Sequence, residues 1–208
     1  MTDERLLSIY LQSIQCSKTE DWTGGDNLAI VGGSWSGRTQ SECEDSIRPV
    51  RTELMPMRVG TEDTTKSLLF QGTVGPTDNV DITLAALNIY ATDFGASQWE
   101  EGSDAVTSGL HKLVMFAIDT GFSFGISEPE LGRTIMELFS ERVQPMLWKA
   151  LPALRGSFDS LGVKLMHQPA SEWFEIAGND HLPLRFSDPE NRWDYTVYYK
   201  VETGPPPG

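Results

Sequence analysis

The side chains best placed to do chemistry in this chain are carboxylates gathered in turn-rich stretches. Glu20, Asp21 and Asp26 fall in SKTEDWTGGDN, and Asp93 opens a second acidic run that continues to Glu100, Glu101 and Asp104. Asp180 lies in a Gly-Asn-Asp turn, and Asp188 and Glu190 lie in SDPEN. Hard cations such as calcium need several oxygen ligands, and carboxylates on loops at one end of a fold can converge to supply them. With 30 acidic against 16 basic residues the net charge is −14, so clustered carboxylates repel one another until a metal or a basic surface neutralises them. The same charge opposes attraction to phosphate backbones and anionic lipid headgroups, which argues against nucleic acid as a partner. Glu20, Asp21, Asp26, Asp93 and Asp180 are the expected metal ligands.

Other chemistries find less support. His111, His167 and His181 lack the His-Glu-x-x-His spacing of a zinc helix. Cys16 and Cys43 are compatible with one bridge, or with one buried and one loop thiol. In GGSWSG, Trp35 stands between Gly33 and Gly37 where a nucleophile elbow needs serine, so the segment reads as a simple strand connection. No Gly-rich phosphate-binding motif and no EF-hand spacing is present. Trp22 and Trp99, in acidic loops, read as covers for the ends of a core, with sugar stacking or membrane contact as the alternative.

The elements that must position these residues are mainly extended. Leu7, Ile9, Leu11, Ile14 and Cys16 alternate with polar residues but slip phase near Ser13, the pattern of a bulged strand. Leu28 to Val31 reads as a buried strand, and Pro49 and Pro56 confine any strand between Ser46 and Arg58 to an edge. Leu68 to Phe70 and Val80 to Ile89 follow, the latter with Val80, Ile82, Leu84 and Ala86 in one phase. Leu161 to Leu165 and Trp173 to Ile176 are short strand candidates. Trp193, Tyr195, Val197, Tyr199 and Val201 give the clearest alternation in the chain.

Between the strands, residues 103–156 switch to a helical period. Val106, Leu110, Leu113, Val114 and Ala117 recur at three and four residues behind Ser103, and a second run opens at a Ser127-x-x-Glu130 capping box and continues to Leu151. The pair predicts an αα-hairpin of a shorter and a longer helix, with Phe122, Phe124 and Ile126 at its tip and Pro145 kinking or dividing the second helix. The expected fold is α+β and mainly β: a single domain over residues 1–202, an antiparallel β-sandwich with the hairpin inserted into it or covering it. Residues 203–208, GPPPG with one preceding residue, form a tail that does not pair.

A strand, an acidic loop and a second strand in SIQCSKTEDWTGGDNLAIV, with DYTVYYKV near the end, resemble calcium-binding C2-type β-sandwich modules. The closely spaced Asp-x-Asp of those modules is absent. The resemblance implies a non-enzymatic, calcium-assisted binding module for a protein, glycan or lipid ligand. Two other classes stay open: a membrane-acting effector that deploys the hairpin, and a hydrolase with an unrecognised carboxylate or histidine site. The N-terminus lacks the basic start and apolar core of a secretory signal, and no apolar run reaches bilayer length, so the expected location is cytoplasmic or outside the cell by a non-classical route.

Overall fold

The computed structural model describes residues 3–19, 26–90, 95–123, 128–155 and 158–206. Two antiparallel sheets and a helical layer make up the fold. The first strand, β1 (Arg5–Lys18), lies in the middle of its sheet between β5 (Glu62–Val74) and β9 (Asp194–Gly204), with β8 (Leu182–Ser187) outside β9. Its pairing with both neighbours slips between Leu11 and Ser13, where the sequence pattern slips. The bulge carries the inward face from Leu7, Ile9 and Leu11 to Ile14 and Cys16, all buried in one core.

In the second sheet β2 (Asp26–Gly37) pairs along its length with β6 (Asn79–Ile89), and β6 pairs with β7 (Phe158–Pro169). The other edge of β2 is covered by two short strands, β3 (Arg48–Arg51) and β4 (Met55–Met57), which hold Pro49 and Pro56 at the edge as expected. Thr52 bridges the gap between them. Its amide donates to the Ile30 carbonyl and its hydroxyl accepts from the Ile30 amide, both at 2.9 Å.

GGSWSG is not a connection, as its composition suggested, but the second half of β2. Glycine is needed there because a Cβ on Gly33 would sit 2.5 Å from a Val114 methyl, and one on Gly32 would sit 1.9 Å from the Thr83 carbonyl oxygen. The glycines let a helix and a neighbouring strand approach the sheet closely.

The reason lies in the third layer. After β6 come α2 (Ala96–Glu101), α3 (Ser103–Ser123) and α4 (Glu128–Ala150), and a 3₁₀ turn at Pro152–Leu154 leads into β7. The expected hairpin is therefore present, and α4 runs continuously through Pro145. Its tip, with Phe124, Ile126 and the Ser127 of the capping box, lies outside the described residues. The hairpin covers the outer face of the second sheet, so β6 is buried on both sides. Val80, Ile82, Leu84 and Ala86 face the sandwich core, and Ala85, Leu87 and Ile89 face α3 and α4. That explains why Leu84 to Leu87 is apolar without a break.

Two other expectations are corrected. Trp173 to Glu175 is not a strand but the end of α5 (Ala170–Glu175), which buries Ala170 and Trp173 one turn apart; α1 (Gln40–Asp45) is the remaining helix, closed by a capping box between Thr39 and Glu42. The C-terminal strand also runs further than expected, since Thr203 and Gly204 pair with Leu7 and Leu6. Cys16 and Cys43 are both buried thiols, in different cores, and form no bridge.

Candidate functional site

A hollow on the surface lies along the outer side of α3 and α4. Their inner faces are taken up by the sheet, through Val106, Leu110 and Ala117 on α3 and Phe139, Val143 and Leu147 on α4. On α3 the stripe beside the core-facing one is Ala105, Gly109, Lys112 and Phe116, and on α4 it is Arg142, Pro145, Met146 and Lys149. Both stripes follow the three- and four-residue spacing of one helix face. Together they enclose ≈ 540 Å³, within the range of ligand-binding clefts.

Small residues set its shape. A Cβ on Gly109 would meet the Met146 sulfur at 2.4 Å, and one on Gly102 would meet a Leu151 methyl at 2.0 Å. These two contacts draw the antiparallel helices together and leave a shallow trough above their seam. At one end the Arg142 guanidinium lies 4.5 Å from the centre of the Phe116 ring, with Phe116 itself 41% exposed.

The trough is basic in an acidic chain. Lys112, Arg142 and Lys149 are exposed on its rim, and among the described residues none has a carboxylate partner. Arg38, Arg51, Arg185, Arg192 and Lys200, in contrast, lie within 3.3 Å of Asp78, Glu100, Asp194, Asp188 and Asp180 respectively.

Those pairs also account for much of the acidity of the loops. Asp180, an expected metal ligand, is bound by Lys200 at 3.3 Å, and Lys200 also holds Glu202 at 3.1 Å. The two carboxylates, Glu202 first, raise the ammonium pKa above its ordinary value. Asp188 accepts from the Arg192 guanidinium at 2.9 and 3.1 Å and from its amide at 3.1 Å, and Arg192 holds the Asp188 carboxyl below the usual range. Of the other expected ligands, Asp26 is the first residue of β2, whereas Glu20, Asp21 and Asp93 lie outside the described residues. Among the described residues no group of three His, Cys, Asp or Glu side chains is arranged to hold a metal ion.

The histidines lie on different elements. His111 is in α3, and His181, at φ 60°, follows the Gly178 turn and packs its ring edge-on to Tyr198. His167 on β7 stands directly across from Asp81 on β6, on the face toward the helices, with Nδ1 to Oδ1 at 2.6 Å. A carboxylate oxygen only accepts, so Nδ1 is the donor. Asp81 is 7% exposed, and the pair ties the two strands beneath the helical layer.

Trp99 is buried, its indole N–H donating to the Thr52 carbonyl at 2.8 Å while the Arg51 guanidinium lies 5.4 Å from its ring centre. It covers the end of a core and is closed to sugars. Trp22 lies outside the described residues.

The basic trough escaped the sequence reading, which sought function in the acidic loops and, as an alternative, in a deployed hairpin. Its signal was present: Lys112 and Phe116, and Arg142 and Lys149, repeat at helical spacing on the sides of their helices that the core does not use. No helix among the described residues is long and apolar enough to cross a membrane. Comparison with protein-family models, with curated proteins and with solved structures finds no match to this chain.

Proposed function

We propose that this protein is a non-enzymatic binding module in which a β-sandwich presents the helical hairpin, and the outer trough of the hairpin receives the acidic, partly apolar surface of another protein. The observation that carries this reading is the set of three rim cations without carboxylate partners among the described residues, around an apolar floor, in a chain of net charge −14. Cations left unneutralised beside an apolar hollow favour a ligand that brings both negative charge and apolar area. Calcium assistance is not required, because recognition on this face uses the protein's own positive charge.

The anionic aromatic probe 8-anilinonaphthalene-1-sulfonate tests the chemistry of the trough. Saturable fluorescence enhancement is expected with the folded protein and should be lost in the triple variant Lys112→Glu/Arg142→Glu/Lys149→Glu, whose substitutions are all exposed. Equal enhancement in both proteins would overturn the reading.

A further inference from the structure

We infer that the occupant of the trough is an acidic amphipathic α-helix of a partner protein, laid along the seam of α3 and α4 to complete a three-helix layer; this rests on the binding reading above. The trough is elongated because two antiparallel helices form it. From Ala105 to Phe116 it runs about 16 Å at 1.5 Å per residue, close to three helical turns. Its floor is made of small side chains and the half-buried Gly109–Met146 contact, so a third backbone can come close. Its cations lie on both walls, Lys112 on one helix and Arg142 and Lys149 on the other.

A helix with apolar residues at i, i+3 or i+4, and i+7 fills such a seam, and acidic residues flanking that stripe on either side meet the cations on either wall. The register is also set. Arg142 and Lys149 are two turns apart on one wall, about 10 Å, so the acidic positions facing that wall should be spaced by seven residues.

Other occupants fit less well. A second copy docked face to face would set the three cations of one trough against the three of the other, because an isologous interface pairs a patch with itself. A bilayer rich in anionic lipid is opposed by the net charge of −14. A single acyl chain would leave one flank in water along a trough whose Ala105, Ser108 and Pro145 are exposed, whereas a helix covers it with its own width.

The test uses the full chain and a fluorescein-labelled synthetic helix of about 18 residues, with a leucine and alanine seam flanked by glutamates. Anisotropy should show saturable binding that weakens as salt rises, and circular dichroism should show the peptide gaining helix in the complex. The triple Lys112→Glu/Arg142→Glu/Lys149→Glu protein should bind it about tenfold more weakly or worse, and should prefer a matched peptide with lysine in place of glutamate. The circular dichroism of the variant alone, unchanged from the wild type, shows that it is folded. Equal binding of both peptides by the wild type, or binding of anionic vesicles with none of the acidic helix, overturns the inference. If the sulfonate probe binds the trough and the acidic helix does not, the helix falls and the binding reading stands. If neither binds, both fall.

Discussion

Whether the hairpin is an accessory to the sandwich or part of what keeps it folded can be decided by excision. β6 and β7 are antiparallel neighbours with Ile89 opposite Phe158, so residues 90–157 can be exchanged for an Asn-Gly turn without altering the topology of either sheet. What the exchange does is uncover the outer face of the second sheet. Val31, Trp35, Leu87, Ile89 and Phe158 lie on that face at 0–1% exposure. Returning each large apolar side chain to water costs about 1.5–3 kcal/mol, and for these five the loss is roughly 8–15 kcal/mol. That equals the whole stability of a typical domain. The excised protein is therefore expected to lack a cooperative urea transition and to bind apolar dyes along the bared sheet. A soluble monomer that unfolds cooperatively and keeps its β circular dichroism would refute the reasoning and make the hairpin a separable attachment.

Thr52→Val keeps the shape of a buried side chain but removes the acceptor of the Ile30 amide, and should cost about 1–3 kcal/mol in urea unfolding, with Thr52→Ser losing less. Asp188 titrates below its ordinary value in the folded state because of Arg192. Its contribution is thus complete above the unfolded value of about 3.9 and is lost as pH falls through the lower folded value; Asp188→Asn should flatten that acid limb of the stability profile and change little at pH 7 beyond a constant offset. Because Lys200 already holds Asp180, any change in Tm produced by calcium should be the same in Asp180→Asn as in the wild type. A calcium-dependent rise that this substitution abolishes would make Asp180 a ligand after all.

What could be read from the sequence was whatever a single period encodes. The slip at Ser13 survives as a real bulge because a strand buried on one side must restore its inward phase after an extra residue. Val80 to Ile89 reads as a strand, but the alternation of one phase hides the burial of the other, since only the presence of helices on the far side turns Ala85, Leu87 and Ile89 into core. GGSWSG reads as a strand connection by composition, whereas Gly33 answers to Val114 and Gly32 to Thr83, residues far along the chain. Trp173 and Phe174 show how a short aromatic run cannot separate strand from helix. The acidic loops show the same limit: carboxylates are visible in sequence, but the Lys200 ammonium beside Asp180 is a product of folding. The trough is legible only once it is known which face of each helix the sheet has claimed.

The placement of the two cysteines gives the molecule a pair of internal clocks. Cys16 is sealed between the sheets, and Cys43, on α1, is buried in the core that the second sheet shares with the helices, so each thiol meets an alkylating reagent when its own core opens. Equal rates of modification at the two sites mean that sandwich and helices breathe as one cooperative unit. A faster rate at Cys43 means that the helical layer lifts from a sandwich that remains closed, and the ratio of rates measures the free energy that separates the two events.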